Sequence, residues 1–159
     1  MHLDELNALD EASAARALLA CCGSTGWARE MAASRPFDGP ETMAHTSDRV
    51  WASLARSDWL EAFAAHPKIG ARTASAWASA EQAGSAGASE EVRQRLAAGN
   101  RAYEARFGYI FIVCATGRSA GDMLAILERR LTNDPDEELR IAAEEQCKIT
   151  RLRLAKLLT

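Results

Sequence analysis

The sequence predicts an all-α fold, namely a single compact, bundle-like domain of several helices over residues 1–159. Alanine, the strongest helix former, is the commonest residue in the chain. Apolar residues recur at helical spacing, for example at Leu96, Tyr103 and Phe107. One stretch near residues 109–115 is β-branched and aromatic instead, which predicts a short extended segment. The absence of an internal repeat or a low-complexity linker favours one domain.

The first two helices are marked by a cap, a glycine and a proline. Asp10 can cap a helix that continues to Cys22, and Gly23 ends it. A second, shorter helix carries Trp27 and ends before Pro36, because the residue that precedes a proline disfavours helical geometry. The turn after this proline leads to the next helical stretch.

Residues 42–65 predict one helix or two. A break near Ser57 or Asp58 is expected, because either side chain could cap the segment that follows. That segment is expected to end at His66, since Pro67 comes directly after it. The last residue of this helix would therefore be an imidazole.

Two further helices are predicted after a turn at Gly70. The range 73–82 has helical spacing, and Ser89 can cap a longer helix that Gly108 ends. The stretch 109–115 follows, and the sequence offers no second strand with which it could pair. We therefore expect a buried extended connection or a helix start rather than a sheet.

The last two helices have clear N-terminal signals. Ser119 and Asp122 form a capping box. Asp134 can cap the final helix, with Pro135 at its first position and acidic residues in its first turn. This helix is expected to run to about Leu158.

Composition and charge narrow the functional class. Of the 159 residues, 48% are hydrophobic and 26% are charged, as in an ordinary globular domain. The net charge of −3 gives no basic surface for nucleic acid. The apolar runs are too short to span a membrane, and the N-terminal residues lack the features of a signal peptide. We therefore expect a cytoplasmic protein that binds neither nucleic acid nor membranes.

The cysteines predict reduced thiols. They include an adjacent pair and show no CxxC spacing, which argues against a disulfide framework and against a zinc site. The four are Cys21, Cys22, Cys114 and Cys147. Cys114 could be a nucleophile, but nothing in its sequence neighbourhood marks a lowered pKa, so core packing is the favoured interpretation. No metal site is predicted.

His66 is the candidate catalytic residue. Trp59, Phe63 and His66 stand at i, i+4 and i+7, so a helix would project the imidazole from its apolar face. A histidine at the negative C-terminal end of a helix can titrate near neutrality. The alternative, a core or surface histidine that happens to precede a turn, is the commoner case for a single histidine.

Glu81 is the candidate acidic partner. It lies four residues after Trp77 and directly before Gln82. A carboxylate beside an indole could have a raised pKa or could pair with an imidazolium. A solvated glutamate near a helix end is the alternative, and spacing alone favours that alternative.

Two arginines are candidate anion ligands. Arg153 stands between Ile149 and Leu157 in an apolar row, where it could bind a buried anion, extend its head to solvent or pair with Glu145. Arg118 precedes a helix N-terminus, where backbone N–H groups also favour anions, and plain loop charge is the equal alternative.

Several short motifs occur in a specific order and spacing. They are Leu6-Asn7, Cys21-Cys22-Gly23-Ser24 with Trp27, Arg35-Pro36-Phe37, His66-Pro67-Lys68-Ile69-Gly70, Glu81-Gln82, Phe107-Gly108, Phe111-Ile112-Val113-Cys114-Ala115, Gly117-Arg118-Ser119, Asn133-Asp134, Glu138 and the run from Lys148 to Leu154. In this arrangement the chain resembles, nearly end to end, the 2-oxo-4-hydroxy-4-carboxy-5-ureidoimidazoline (OHCU) decarboxylases of urate degradation.

The resemblance implies an all-helical, cofactor-independent decarboxylase, usually a homodimer, that converts OHCU to (S)-allantoin and CO2. It implies that His66 is the catalytic histidine and that Glu81 is its acidic partner. The substrate contacts that it implies are Pro67, Ser79, Gln82, Phe111, Ile112, Val113, Cys114, Ala115 and Arg153. Some members carry a fused transthyretin-like hydrolase domain, for which this chain has no room.

One departure from the family pattern affects the expected site. Where the family has a serine three residues before the glutamate, this chain has Ala78, with Ser75 and Ser79 nearby. One side-chain contact to the ligand is therefore expected to be lost or relocated.

Three other functions stay open at this stage. A non-catalytic helical module that binds a ureide or purine and regulates a partner would keep the pocket but show no turnover. A plain helical interaction domain would have His66 and Glu81 far apart and exposed. A decarboxylase for a related ureide acid would differ only in its substrate.

Overall fold

The computed structural model describes residues 1–67 and 89–159, and the described part is helical with one long non-helical connection. No strand occurs within these two ranges, so the all-α prediction is confirmed. The eight described helices are α1 (Leu3–Ala8), α2 (Glu11–Leu19), α3 (Thr25–Ala33), α4 (Pro40–Ser53), α5 (Arg56–Ala64), α6 (Glu90–Phe107), α7 (Ala120–Arg130) and α8 (Pro135–Leu157). Not one of these helices combines the length and the apolar character needed to cross a bilayer.

The described chain divides into two compact units. The first unit comprises Met1–Ala65 and Gln146–Thr159, and the second comprises His66–Glu145. Helix α8 contributes its N-terminal half to the second unit and its C-terminal half to the first. Each unit has buried apolar side chains of its own.

The first unit is built on the packing of α2 against α3, with α4 and α5 also contacting α3. Its largest buried side chains include Leu6, Leu18, Trp27, Met31, Phe63 and Leu154. Each such side chain stabilises the fold by about 1.5–3 kcal/mol when it is removed from water. The polar groups inside are paired: the Trp27 indole N–H donates to the Ser47 hydroxyl at 3.2 Å.

The second unit is built on the packing of α6 against α7. A glycine permits their close approach, because a Cβ atom at Gly99 would lie only 2.6 Å from a methyl carbon of Leu127. Tyr103, which is fully buried, contacts the rings of Phe107, Tyr109 and Phe111 at centroid distances of 4.6, 5.8 and 5.4 Å. The aromatic cluster thus joins α6 to the non-helical stretch that follows it.

Most predicted helix signals occur in the structure. The side chains of Asp10, Ser89 and Ser119 accept backbone N–H bonds at the starts of α2, α6 and α7. Asp122 completes the capping box by accepting from the Ser119 N–H at 3.1 Å. Gly108 ends α6 in the left-handed conformation, with a φ of 85°, which a residue with a Cβ atom rarely adopts.

Several helix boundaries differ from the prediction. Helix α2 ends at Leu19 rather than continuing to Cys22, because the Cys21 N–H bonds to the Leu18 carbonyl three residues back, as in a turn. Helix α1 is absent from the prediction, because it is six residues long and begins after His2 rather than after a Ser, Thr or Asp cap. The break in the 42–65 stretch lies at Leu54 and Ala55, not at Ser57-Asp58. Asp58 still acts at this helix start, but from inside the first turn, where its carboxylate accepts from the Ala55 N–H at 3.2 Å.

Candidate active site

His66 follows the end of α5. The helix ends at Ala64, two residues before the predicted end, and Ala65 is its C-cap. Pro67 explains the early end, because it has no N–H to extend the helical bonding and it disfavours helical geometry at His66. His66 and Pro67 are both half-buried. The imidazole therefore belongs to a bend after the helix rather than to its last turn.

The end of α5 is held against the turn that joins α2 to α3. A Cβ atom at Gly23 would lie 2.4 Å from the Cβ atom of Ala65, so only glycine fits at this point. The Glu61 carboxylate accepts from both the backbone N–H and the hydroxyl of Thr25, at 2.9 and 3.1 Å. These contacts fix the residue that immediately precedes His66.

Trp59 and Phe63, which share the predicted apolar face with His66, pack on a third ring. Trp51 lies 5.9 Å from Trp59 and 6.5 Å from Phe63, measured between ring centroids. The Trp59 indole N–H donates to the Trp51 carbonyl at 2.9 Å. Both predicted side chains thus help to join α5 to α4, a role that i+4 spacing alone does not reveal.

The predicted extended segment, residues 109–115, is a buried connection with neither helix nor strand geometry. Of the two predicted possibilities, a connection or a helix start, the first is correct. The side chains of Phe111, Ile112 and Val113 are 3%, 2% and 6% exposed, and Ala115 is 6% exposed. Cys114 is half-buried.

Charged side chains bind the backbone of this segment. Arg130 donates to the Ile112 carbonyl at 2.7 Å, and the Glu145 carboxylate accepts from the Cys114 N–H at 3.2 Å. The Arg118 guanidinium donates to the Cys114 carbonyl at 3.1 Å. The sequence leaves Arg118 open as an anion ligand or as plain loop charge, and its observed contact is with this carbonyl.

Arg130 belongs to a buried network that sequence reasoning missed. Its guanidinium donates to the Glu138 carboxylate at 2.6 Å, and the Tyr103 hydroxyl donates to the same carboxylate at 2.6 Å. Burial strongly raises the pKa of Tyr103 and the bond to Glu138 raises it further, so the phenol stays protonated. The Asn133 amide occupies the second carboxylate oxygen at 3.0 Å.

The position of Arg130 on the apolar face of α7 is a sequence signal for this network. Met123, Leu127 and Arg130 stand at i, i+4 and i+7 on α7, and all three are buried. An arginine in that register predicts either a snorkelling side chain or a buried pair. The sequence presents Glu138 as part of an acidic first turn and as one residue of the family motifs, and neither reveals that its side chain is fully buried.

Arg153 lies in the first unit and is half-buried. Its charge acts on the adjacent thiols of Cys21 and Cys22. Burial raises their pKa values to about 12 and about 11, and the positive charge of Arg153 partly opposes both shifts. All four cysteines are thiols rather than disulfide partners, as predicted.

The remaining predicted site residues fall outside the described residues. These are Glu81, Ser79 and Gln82, together with Ala78 and the predicted helix over 73–82. The proposed approach of Glu81 to His66 therefore stays a prediction.

Comparison with known proteins identifies the family of this chain. Residues 7–155 match the family model described as OHCU decarboxylase. The chain belongs to the OHCU decarboxylase family. The match includes every candidate residue named from the sequence.

Similar OHCU decarboxylase sequences differ in how much of their length this chain covers. It is 42% identical over 146 residues to the uric acid degradation bifunctional protein TTL of Arabidopsis thaliana, and it spans only 45% of that protein. It is 32% identical to the 2-oxo-4-hydroxy-4-carboxy-5-ureidoimidazoline decarboxylase of Haloferax volcanii, covering 98% of this chain and 95% of that one.

Two solved structures share the fold. An OHCU decarboxylase crystallised in the presence of (S)-allantoin is 42% identical, with a TM-score of 0.81 over 88% of this chain and 95% of that chain. An (S)-allantoin synthase is 21% identical, with a TM-score of 0.76 over 99% of this chain and 54% of that chain. The second match supports the fold alone.

Proposed function

We propose that this chain is a carboxy-lyase that converts OHCU to (S)-allantoin and CO2 in urate degradation. The observation that carries the proposal is the family match over residues 7–155. The Haloferax volcanii decarboxylase supports it, because this chain covers nearly the whole of that relative. The structural relative crystallised with (S)-allantoin points to the same product.

The substrate supplies its own electron sink, so the proposed chemistry is independent of a cofactor. The C–C bond to the carboxylate breaks, CO2 leaves, and the electron pair moves into the neighbouring C=N bond. The resulting enol-like species is then protonated on one face. The enzyme must hold the substrate, exchange a proton and select that face.

His66 is assigned the proton transfer. Its imidazole exchanges a proton with the substrate hydroxyl or with the enol-like intermediate, a role that contributes roughly 100- to 10,000-fold in rate. The bend after α5 supports this assignment, because Gly23 and Pro67 fix the backbone on both sides of the imidazole. Glu81 is assigned to orient the imidazole or the ureido N–H groups.

The other proposed substrate contacts bind different chemical groups of the substrate. The backbone of Phe111–Ala115 is assigned to the planar ureide, because that segment carries amide groups outside any helix or strand. Arg153 is assigned to the anionic part of the substrate, as a half-buried cation on α8. Pro67, Ser79 and Gln82 complete the proposed pocket.

The experiment that tests the proposal measures the rate of the reaction and the chirality of the allantoin that it forms. Freshly oxidised urate is incubated with the wild type and with His66→Ala, and both CO2 release and the enantiomeric excess of allantoin are followed. The wild type should give one enantiomer quickly, and the variant should approach the slow, unaided reaction. His45→Ala is the matched control, because the His45 side chain is 71% exposed and belongs to no part of the proposed pocket, so this variant should keep the wild-type rate.

Four results would change the proposal. A wild type that leaves allantoin racemic at the unaided rate would contradict OHCU as the substrate. Stabilisation by a ureide without turnover would indicate a non-catalytic regulatory module, and turnover of a related ureide acid would indicate a shifted substrate. A His66→Ala variant with wild-type rate and chirality would remove His66 from the mechanism.

We propose further that residues 1–159 form one domain and that the protein is a cytoplasmic homodimer. The single domain is supported by α8, whose residues belong to both compact units. One cooperative unfolding transition by both near- and far-ultraviolet circular dichroism would agree with it, and two transitions would contradict it. Sedimentation equilibrium gives the oligomeric state directly.

A further inference from the structure

The proposed chemistry does not use the buried ion pair of the second unit. The side chains of Arg130 and Glu138 are 5% and 0% exposed, and their closest nitrogen and oxygen atoms lie 2.5 Å apart. An ion pair in such a place loses the hydration of both charges, so it adds little stability compared with apolar residues of the same size. Its contacts indicate a role other than stability.

Arg130 reaches the proposed substrate-binding segment at two points. One terminal nitrogen donates to the Ile112 carbonyl at 2.7 Å. The guanidinium carbon also lies 4.7 Å from the centroid of the Phe111 ring. Glu138 holds the other edge of the same guanidinium through Nε, at 2.6 Å.

We infer that Arg130 is a positioning residue that fixes the backbone of Phe111–Ala115 for binding the substrate. The inference rests on the proposed function, in which that backbone contacts the ureide. Arg130 acts through Ile112 and Phe111 and does not touch the substrate. Glu138 and Tyr103 in turn fix the orientation of the guanidinium.

The conformation of the segment explains why an arginine is needed. A backbone outside helices and sheets has no repeating partner, so side chains must satisfy its buried carbonyls. The planar guanidinium can bind a carboxylate along one edge and a carbonyl with another nitrogen, which a lysine cannot do at once. Glu145 holds the same segment at a second point, where its carboxylate accepts a hydrogen bond from the Cys114 N–H.

The decisive variant is Arg130→Met/Glu138→Gln. It removes both charges together, so no uncompensated charge is left inside, and the amide oxygen of the introduced glutamine can still accept from Tyr103. We expect KM for OHCU to rise and kcat/KM to fall about 100-fold, which is the scale of a displacement of about 1 Å at a binding group. We also expect the enantiomeric excess of allantoin to fall. A merely structural role would lower the amount of folded enzyme and leave KM and chirality unchanged.

The matched control is Arg95→Met/Glu128→Gln. This pair joins α6 to α7, so it shares α7 with the Arg130–Glu138 pair, but its side chains are 53% and 48% exposed. The control should keep the wild-type KM and chirality. A control with the same loss as the test variant would overturn the inference, because it would show a general effect of weakening the ion pairs of α7.

The variant Arg130→Lys distinguishes the ion pair with Glu138 from the hydrogen bond to the Ile112 carbonyl. The lysine keeps the charge beside Glu138, so it should fold, and it also decides the question if the double variant does not fold. We expect KM to rise and chirality to fall here as well, by less than in the double variant. Wild-type KM and chirality in Arg130→Lys would overturn the inference.

Amide hydrogen exchange tests the anchoring without the substrate. The Cys114 N–H should exchange about tenfold faster in Arg130→Met/Glu138→Gln, while amides within α6 keep their protection. Unchanged exchange at Cys114 would overturn the inference. A wild type without OHCU turnover would instead contradict the proposed function, and the exchange result would still decide whether Arg130 holds the segment.

Discussion

One ion pair from each compact unit shows a contrast in burial. In the first unit the Asp48–Arg151 pair between α4 and α8 has side chains that are 34% and 42% exposed. In the second unit the Arg130–Glu138 pair is 5% and 0% exposed. The difference follows the backbone, because the second unit must accommodate a buried non-helical segment whose carbonyls lack helical partners. The buried Arg130–Glu138 pair therefore lies where the described backbone leaves helical geometry.

Arg35 in the first unit follows the same rule on a smaller scale. Helix α1 ends at Ala8, and the carbonyls of Leu6 and Leu9 both accept from one Arg35 nitrogen at 2.7 Å. The Arg35 Nε donates to the Ala32 carbonyl at 2.9 Å. A guanidinium thus satisfies carbonyls near the ends of helices α1 and α3, as Arg130 does for the segment in the second unit.

The largest stability effect should come from breaking the buried pair on one side only. Glu138→Leu leaves Arg130 charged and buried without its carboxylate, and Tyr103 loses its acceptor. We expect the free energy of unfolding to fall by about 3–5 kcal/mol in urea titrations. The double variant Arg130→Met/Glu138→Gln should recover most of this loss. A single variant as stable as the double would contradict the burial argument.

A smaller loss of stability should follow from a methyl group at Gly23, which packs against Ala65, the residue before His66. Gly23→Ala places a methyl group where the Ala65 Cβ atom already lies at 2.4 Å. We expect overpacking to cost about 1–3 kcal/mol in the free energy of unfolding. Activity should also fall, since the bend at His66 follows Ala65 directly. Gly121→Ala is the control, because the nearest atom there is the Ser119 hydroxyl oxygen at 3.8 Å, which is ordinary contact.

The sequence predicts the helices better than the site. Local chemistry, such as the Ser119-Asp122 capping box or the glycine at position 108, depends on neighbours in the chain, and these signals are confirmed. The burial of Glu138 depends on α7, so an acidic first turn at the start of α8 gives no sign of it. Arg130 and Glu145, which bind the backbone at Ile112 and Cys114, are likewise distant in sequence. The apolar register on α7 indicates that Arg130 is buried, but it does not indicate which carbonyl the guanidinium binds.

The helix cap of α7 offers a test of modest size. Ser119 accepts from the Asp122 N–H at 3.1 Å, and the helix carries both Met123 and Arg130. Ser119→Ala should lower the free energy of unfolding by about 1 kcal/mol, measured by urea titration. Ser119→Asp should be close to the wild type, because its carboxylate can cap the same N–H. Equal losses in both variants would show that the hydroxyl has a role other than capping.

The smallest effect is expected at the exposed pair of the first unit. Asp48→Asn removes the ion pair with Arg151 and should change the free energy of unfolding by about 0–1 kcal/mol near neutral pH. Burial alone would raise the pKa of Asp48, but the hydrogen bonds from Arg151 and Cys147 and the charge of Arg151 outweigh it, so the pKa lies below the usual 3.8.

The sign of the pH dependence at Asp48 follows from this lowered pKa. A carboxyl group with a lowered pKa in the folded state stabilises the fold above its unfolded pKa. This contribution is lost as the pH falls through the lower, folded value. The difference in unfolding free energy between the wild type and Asp48→Asn should therefore be constant from about pH 5 to 7 and should shrink below pH 3.8. A difference that grows on acidification would contradict the pairing with Arg151.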